Sequence, residues 1–518
     1  MSIPGYATPE GTTQFAGKFR DQYPARAYTQ LGRSKLTVSR LGFGTYRCDA
    51  DSEIHHQALE AALHKGCNLI DTSANYTDGN AELLIGDVIN RETVWQHFAA
   101  RENLVIVSKV GYIQGENMVI AREREAQGDP LPEVVKYQQG MWHCIHPRFI
   151  EDQITRTLAR MHLDTLDVYL LHNPEYFLSD AARRSGFDRA ETEKAFYDRI
   201  RRAFIQMEKL VREGLIRYYG ISSNSLPLPA DAPDFVSLPR VWKAYEDACL
   251  QSGITPEQGH FAVIQLPFNW LEHGAATRRN QEFRGKVYST LELAGELGLG
   301  VLVNRPLNAI SGNHLLRLAR YGSDDAVDYQ AQFTATLQQL QQTEQELADW
   351  VRTRDLDIPV QNTRLSELFR AGDSLQRLSA QGGDVSHFRE VAAAYLAPVI
   401  EYSSSILLRQ LNEAGREEIA PLLEAYRSQY RLASEVWLHH LDRENYHQTG
   451  YLETHFGDVH PELGRRLSFA QKSLLFATEP PDVSSVLNGM RTPDYVEDSM
   501  KILEVAAELD WEKLLVQE

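Results

Sequence analysis

Cysteine pairs and long hydrophobic runs are both scarce in this sequence. The four cysteines, Cys48, Cys67, Cys144 and Cys249, are scattered over 518 residues without a metal-ligand spacing. This favours free thiols in a reducing compartment and no bound metal. No apolar run approaches the ~18–20 residues of a membrane span. The first residues lack a basic region followed by an apolar one, so a signal peptide is not expected. A cytoplasmic location is the resulting expectation.

An excess of positive charge is lacking as well. Lys and Arg total 53 against 71 Asp and Glu, which gives a formal net charge of −18. This balance argues against a general nucleic-acid or anionic-membrane binder, so neither partner is expected. An anionic cofactor would need a local basic site. The composition, 43% hydrophobic and 24% charged, is that of a globular protein with a sizeable core.

Three short apolar runs end on polar residues of particular types. Leu69 and Ile70 precede Asp71, and Tyr76 follows five residues later in a turn-forming segment. Two later runs lead in the same way to Lys109 and His172. A single Tyr or Lys in such a position is usually solvated. If parallel strands of one barrel carry these endings, however, they meet at its C-terminal mouth, where barrel enzymes place their catalytic groups.

The segments around these residues resemble one protein family. NLIDTSANYTDGNAELLIGDVI, VIVSKVG and DTLDVYLLHNP are similar to the aldo-keto reductases, whose catalytic tetrad is Asp, Tyr, Lys and His in this order. The resemblance implies that Asp71, Tyr76, Lys109 and His172 are catalytic. In the implied mechanism Tyr76 gives a proton to a carbonyl oxygen while Lys109 lowers its pKa. Asp71 holds Lys109 in place, and His172 donates a hydrogen bond to the same oxygen.

Strand and helix patterns alternate along the chain, as expected for a parallel sheet closed by crossover helices. The alternation stops after strand seven, at residues 300–304, and returns with a helix at residues 467–476 and strand eight at residues 484–487. The predicted fold is an α/β protein, a (β/α)8 TIM barrel with an all-helical insertion in the β7–α7 connection. The predicted domains are an extended N-terminal arm at 1–27, the first part of the barrel at 28–311, the insertion at 312–464 and the last part of the barrel at 465–518.

The resemblance also implies an NADP(H) site without a metal. In the family, a Ser-Asn pair after strand five and a Gln ending strand six bind the nicotinamide carboxamide, whose donor and acceptor ends suit such side chains. The phrase DVSSVLNGMRTPDYVEDSM resembles the cofactor segment at strand eight, where Arg491 suits a 2′-phosphate and favours NADPH over NADH. The predicted cofactor-binding residues are Gly44, Thr45, Ser223, Asn224, Gln265, Arg305, Leu307, Gly489, Arg491, Thr492, Tyr495, Asp498 and Ser499.

Several of these assignments stay open at the level of sequence. Either Ser222 or Ser223 can contact the carboxamide. Arg305 can contact the pyrophosphate, an acidic substrate or a surface carboxylate. The family usually has Glu and Asn where Asp498 and Ser499 stand. The adenine contacts, and with them the strength of the preference for NADP over NAD, are therefore open.

The predicted function is NADPH-dependent reduction of an aldehyde, ketone or sugar to an alcohol. The alternative is a regulatory or sensor subunit that binds NADPH and acts on a protein partner through the insertion. Apolar residues recur there at helical spacing, as in Phe333, Leu337 and Leu340, which is typical of helix packing. A lid over the substrate and an oligomer interface both fit this pattern. A βα connection leaves its strand at the catalytic face, which favours the lid.

Overall fold

The chain forms two compact units. The computed structural model describes residues 2–98, 100–311, 314–320, 322–324 and 326–516. One unit consists of Met1–Leu307 with Arg465–Glu518, and the other of Asn308–Gly464. The second unit therefore lies within the sequence of the first.

The first unit contains a closed barrel of eight parallel strands. Each strand pairs with its neighbours in sequence, and the eighth pairs with the first through Val486 and Leu41. The predicted TIM barrel is confirmed. The strands are β1 Leu41–Gly44, β2 Leu69–Asp71, β3 Val105–Val110, β4 Leu166–His172, β5 Ile216–Ser222, β6 Phe261–Pro267, β7 Gly300–Asn304 and β8 Ser485–Asn488.

A helix follows each barrel strand before the next one begins. The third helix illustrates why: Pro147 occupies its first turn, where a missing N–H costs nothing, and His162 ends it in a left-handed conformation. Phe149 and Ile154 are buried on its inner face. The helices are α1 Glu53–His64, α2 Asn80–Ile89, α3 Pro147–Met161, α4 Arg189–Arg212, α5 Leu238–Gln251, α6 Thr290–Glu296, α7 Phe469–Thr478 and α8 Pro493–Met500.

The N-terminal arm contains a helix, contrary to the expectation that it is extended. Pro9–Gly17 is helical, with Thr8 as its N-cap. Ala7 donates its backbone N–H to Asp167 Oδ1 at 2.6 Å, and Phe15 stacks on Phe98 with ring centroids 4.5 Å apart. The arm is thus fixed by contacts with residues far along the chain, which its own mixed sequence does not reveal. Next to it, the strands Tyr28–Gln30 and Thr37–Ser39 pair as a short antiparallel ladder.

The second unit is mainly helical and has its own apolar core. Leu340, Leu347, Leu375 and Tyr426 are fully buried in this core. Two short antiparallel pairs also occur, which the prediction of an all-helical insertion missed because strands of two to four residues have too few positions for a periodic pattern. The longer helices of this unit are Tyr329–Thr353, Ala371–Ala380, Val385–Val391, Ala397–Arg409 and Glu413–Val459.

One helical stretch of the described chain has the length and composition of a membrane span. It is Val385–Arg409 in the second unit, with a mean hydropathy of 1.4 in an 18-residue window that is 22% buried. The expectation that no segment approaches a span is therefore wrong on this measure. A single helix of this kind says little about a membrane, because core helices of soluble proteins meet the same criterion.

Candidate active site

Three of the four predicted catalytic side chains form one hydrogen-bonded cluster at the carboxyl ends of the strands. Asp71 ends β2, Lys109 lies in β3, and Tyr76 lies in the turn after β2. Lys109 Nζ donates to Asp71 Oδ2 at 2.7 Å, to the Thr72 carbonyl oxygen at 2.8 Å and to Tyr76 Oη at 3.2 Å. All three ammonium hydrogens are thereby used. The cluster places a buried cation directly against a tyrosine hydroxyl.

His172, at the end of β4, completes the group. Its ring lies 6.0 Å from the Tyr76 ring and 4.7 Å from the Tyr112 ring, centroid to centroid. Tyr46 packs edge-on against Tyr76 at 5.2 Å and is 58% exposed. These four rings therefore form one packed aromatic group beside the cluster.

The backbone after Tyr76 is held in an unusual conformation. Thr77, Asp78 and Gly79 follow one another with φ of +45°, +56° and +93°. A β-branched residue such as Thr77 rarely adopts a positive φ. Its hydroxyl donates to the Cys48 carbonyl oxygen at 2.5 Å, and Asp78 Oδ1 accepts the Glu116 N–H at 3.1 Å. Strain is therefore concentrated next to Tyr76 and is sustained by contacts from two other connections.

Burial and mutual charge determine the protonation of the cluster. Burial raises the pKa of Asp71, and Lys109 opposes this effect. Burial alone would lower the pKa of Lys109, but Asp71 and Tyr76 outweigh it, and the pKa is raised. Burial also raises the pKa of Tyr76, again with Lys109 opposing. Tyr76 therefore carries its proton at neutral pH, as a proton donor must.

His172 is a neutral imidazole at physiological pH. Burial, and then the charges of Lys109 and His143, hold its pKa well below the usual range. A neutral imidazole has one nitrogen that donates and one that accepts, so its hydrogen-bond partners decide which is which. His172 can therefore orient a substrate oxygen, but it does not supply a positive charge.

A chain of polar side chains holds the His172 ring in place. His172 Nδ1 lies 3.1 Å from Ser73 Oγ, and Ser73 Oγ donates to Asn75 Oδ1 at 2.7 Å. Asn75 Nδ2 in turn donates to Gln114 Oε1 at 3.1 Å. The sequence prediction missed all three residues. In the sequence, only the position of Ser73 and Asn75 between Asp71 and Tyr76 indicates that they belong to the site.

The ends of β5 and β6 connect directly to the catalytic cluster. Ser222 lies opposite both His172 and Gln265 in the strand register. Ser222 Oγ donates to Gln265 Oε1 at 3.0 Å, and Gln265 Nε2 donates to Asp71 Oδ1 at 2.8 Å. Of the two serines, Ser222 is therefore engaged within the barrel. Thr45 also belongs to this interior, because its hydroxyl donates to the Asp71 carbonyl oxygen at 3.1 Å.

The loop after β5 presents one available carboxamide. Asn224 donates its backbone N–H to Glu175 Oε1 at 2.8 Å, and burial raises the pKa of Glu175 to about 7. Ser223 Oγ accepts the Ser225 N–H at 3.2 Å. Among the described residues, the side-chain amide of Asn224 has no hydrogen-bond partner. It is therefore available to the donor and acceptor ends of a nicotinamide carboxamide.

An accessible cation stands beside the start of α8. Thr492 caps this helix, and its hydroxyl accepts the Tyr495 N–H at 3.2 Å. Gly489 is exposed, with no heavy atom within 4 Å of a built Cβ. Tyr495 is 38% exposed. Arg491 is partly exposed and hydrogen-bonds to no side chain of the described chain. The Arg491 guanidinium, the N-terminus of α8 and the open space at Gly489 together fit a phosphate group.

Three other predicted cofactor residues are engaged within the protein. Ser499 is 4% exposed, and its hydroxyl accepts the Asn488 Nδ2–H at 2.9 Å. Asp498 Oδ1 accepts from Gln471 at 2.8 Å. Arg305 pairs with Glu272 at 2.7 Å, the salt-bridge alternative of the sequence analysis. The remaining two of the set, Gly44 and Leu307, are buried.

Metal-binding groups are not found in the described part of the chain. None of its His, Cys, Asp and Glu side chains form a group of three or more that could hold an ion. The four cysteines are buried and unpaired with one another.

The fold and this cluster define a TIM-barrel domain with acid–base groups at its C-terminal mouth. Residues 40–238 match the sequence model of the Aldo/keto reductase family. This range contains Asp71, Tyr76, Lys109 and His172. Over this range, which is less than half of the chain, the barrel is similar to the aldo-keto reductase family, as the motifs predict.

Curated proteins and a solved structure are similar to parts of this chain. The NADH-specific methylglyoxal reductase of Escherichia coli K12 is 27% identical over 150 residues, which are 27% of this chain and 40% of that protein. This chain thus spans less than half of that relative. Methylglyoxal reductase YeaE of the same organism is 23% identical over 289 residues, or 55% of this chain and 75% of that one. The aldo-keto reductase AKR11C1 of Bacillus halodurans is 17% identical with a TM-score of 0.43, covering 94% of this chain and 93% of its own.

Proposed function

We propose that this protein is an oxidoreductase that uses NADPH to reduce the carbonyl group of an aldehyde, ketone or sugar, with Tyr76 as the proton donor. The observation that carries the proposal is the contact of Lys109 Nζ with both Asp71 and the Tyr76 hydroxyl. The family match and the reductase names of the relatives support the same reaction class.

The proposed chemistry divides the work among the four side chains. A bound reduced nicotinamide supplies a hydride to the carbonyl carbon. Tyr76 Oη gives its proton to the carbonyl oxygen, and Lys109 stabilises the tyrosinate that remains. Asp71 keeps Lys109 charged and in position. His172 packs against the Tyr76 ring and positions the substrate beside its hydroxyl. Because Ser73 accepts from Nδ1–H, Nε2 of the neutral ring can only accept a hydrogen bond, such as one from the hydroxyl of the alcohol product.

The proposed cofactor site uses the groups that are left available. Asn224 and Ser223 suit the carboxamide, while Arg491 and the start of α8 suit the phosphates. One relative is NADH-specific, so similarity to the relatives does not decide between NADPH and NADH. The proposed preference for NADPH rests instead on Arg491, which suits the 2′-phosphate. Asp498 and Ser499 are assigned no adenine contact here, since both are bonded within the protein.

Replacing Arg491 with Ala is expected to weaken NADPH binding roughly ten- to hundredfold, the usual effect of losing a charge-assisted contact. NADH lacks the 2′-phosphate, so its affinity should change little. Fluorescence titration of both cofactors measures the difference. Arg466→Ala removes a surface arginine elsewhere on the same unit and serves as the control. Equal weakening of NADPH and NADH by Arg491→Ala would contradict the assignment.

The function itself is tested by NADPH oxidation. Purified protein is screened against aldehydes, including methylglyoxal, and against ketones, quinones and sugars, with the loss of NADPH absorbance as the readout. We expect turnover with at least one class in the wild type and its loss in Tyr76→Phe. NADPH binding without turnover on any class would favour the alternative, a cofactor sensor that acts on a partner through the second unit.

The second unit offers a test between these roles. Its own buried core supports folding separate from the barrel. Replacing residues 315–462 with a short loop is therefore expected to preserve NADPH binding, because the proposed ligands lie outside this range. If the unit closes over substrate, KM should rise or the substrate range broaden. A changed mass in light scattering with unchanged kinetics would indicate an oligomer interface instead. A folded variant unable to bind NADPH would contradict the separation of roles.

A further inference from the structure

Gln265 makes hydrogen bonds that a cofactor contact alone does not require. It lies in β6, is 1% exposed, and has both ends of its side-chain amide engaged by the protein. A carboxylate only accepts hydrogen bonds, so the amide must present Nε2 to Asp71. Its oxygen must then face Ser222, whose hydroxyl donates to it at 3.0 Å. The orientation of Gln265 is therefore fixed by its two partners.

The Asp71 carboxylate is shared between two donors. Oδ1 accepts from Gln265 at 2.8 Å, and Oδ2 accepts from Lys109 at 2.7 Å. Asp71 and Lys109 are 4% and 0% exposed, so water contributes little to keeping them charged. In such surroundings the ionic pair competes with a neutral pair in which one Lys109 N–H bond breaks and an O–H bond forms on Asp71. Donors to the carboxylate favour the ionic form.

We propose that Gln265 is a positioning residue that keeps the Asp71–Lys109 pair ionic and so acts on Tyr76 from the far side of the cluster. Ser222 fixes Gln265, Gln265 fixes Asp71, and Asp71 holds the cation against the Tyr76 hydroxyl. This inference rests on the proposed function. It adds a role for Gln265 that is separate from any contact with the nicotinamide.

The consequence for catalysis follows from the charge on Lys109. A neutral lysine cannot stabilise the tyrosinate that remains after proton transfer. The titratable groups in and around the cluster are Asp71, Lys109, Tyr76, Tyr46 and His172. Among them, His172 is neutral and Tyr46 raises the pKa of Tyr76. Lys109 is thus the group through which Gln265 influences Tyr76.

Two substitutions at Gln265 test the proposal. Gln265→Leu removes both hydrogen bonds at similar volume, and we expect at least a tenfold loss of kcat at neutral pH, with the alkaline limb of the pH profile moved upward. Gln265→Glu places two carboxyl groups side by side, which cannot both ionise easily. When protonated, the new side chain again donates to Asp71. Its kcat should therefore recover toward wild type as the pH falls, whereas Gln265→Leu should not recover.

Two comparisons separate this role from others. Gln153 is a matched control, a buried glutamine that donates to Asp152 Oδ2 at 2.9 Å in α3, and Gln153→Leu should leave the pH profile of kcat unchanged. If Gln265 serves only the cofactor, Gln265→Leu should raise the Kd for NADPH while kcat at saturation and its pH profile stay unchanged. That result would overturn the proposal.

The protonation state of Asp71 can be measured without any turnover, and so independently of the proposed function. Infrared spectra of protein with 13C-labelled aspartate report the protonation of Asp71, with Asp71→Asn identifying its signal. We expect Gln265→Leu to gain a protonated carboxyl at neutral pH. An unchanged spectrum would overturn the proposal even if the wild type is an active reductase. A wild type without reductase activity would instead contradict the proposed function and leave the spectral comparison decisive for Gln265.

Discussion

Replacing Tyr76 with Phe should lower kcat at least a hundredfold while leaving the Kd for NADPH close to wild type. The factor is the lower end of what positioned acid–base groups contribute. The substitution should also cost roughly 1–3 kcal/mol of unfolding free energy, because one buried Lys109 N–H loses its acceptor. Phe keeps the ring contacts with Tyr46 and with Lys109, whose Nζ lies 4.8 Å from the ring centroid. The substitution removes only the hydroxyl, which donates the proton and accepts a hydrogen bond from Lys109. Stopped-flow and steady-state assays of NADPH oxidation measure the loss.

A second tyrosine provides the control for this experiment. The Tyr28 hydroxyl donates to the Gly66 carbonyl oxygen at 2.8 Å, next to the N-terminal arm and away from the cluster. Tyr28→Phe also removes one hydrogen bond and should cost stability of about 0.5–1.5 kcal/mol without changing kcat. Wild-type turnover in Tyr76→Phe would show that another group donates the proton.

The barrel and the position of Asp71, Lys109 and His172 at its mouth could be predicted because their signals are local. Each barrel strand is a short apolar run, and each tetrad residue stands just after or near the end of one. The helices repeat buried positions at the helical period, as in α3. Since parallel strands of one barrel end at the same face, position in sequence alone brought Asp71, Lys109 and His172 together.

The partners of the polar side chains could not be predicted in the same way. Gln265 was assigned to the cofactor from resemblance, yet its amide bonds to Asp71, 194 residues away. Ser499 is among the predicted cofactor residues, with its adenine contact left open, and its short side chain is buried against Asn488. Such pairings depend on which strands and helices become neighbours in space. The hydrophobic periodicity of a strand or helix does not show which polar side chains will pair with each other.

The structure of the N-terminal arm also depends on contacts with residues that are distant in sequence. The N-terminal helix Pro9–Gly17 is short, and it is stabilised by Thr8 as N-cap and by distant groups such as Phe98. A helix of this length is not stable by itself, so its sequence carries a weak signal. The second unit has long helices with regular apolar stripes, and its sequence therefore predicts helices correctly.

Replacing Lys109 with Met should have the largest combined effect on the protein. It leaves Asp71 buried without its counter-ion, which typically costs about 3–5 kcal/mol of unfolding free energy. It also removes the cation beside the Tyr76 hydroxyl, so kcat should fall at least as far as in Tyr76→Phe. Chemical denaturation and NADPH oxidation measure the two effects separately.

The pH dependence of this loss has a definite sign. Without Lys109, the folded-state pKa of Asp71 rises further above its unfolded value, because burial then acts with less opposition. The native state therefore binds a proton more strongly than the unfolded state, and stability falls as the pH rises toward the folded pKa. The deficit of Lys109→Met relative to wild type should be smaller at pH ~5 than at pH ~8.

The double variant separates stability from catalysis. Adding Asp71→Asn to Lys109→Met removes the unpaired charge and leaves an amide that can still hydrogen-bond to Gln265. Most of the lost stability should return, since a neutral pair avoids the cost of a buried carboxylate. Activity should not return, because the cation beside Tyr76 is still missing. Recovery of turnover together with stability would mean that Lys109 acts only as a structural partner of Asp71, and the proton transfer assigned to the Tyr76–Lys109 contact would then have to be abandoned.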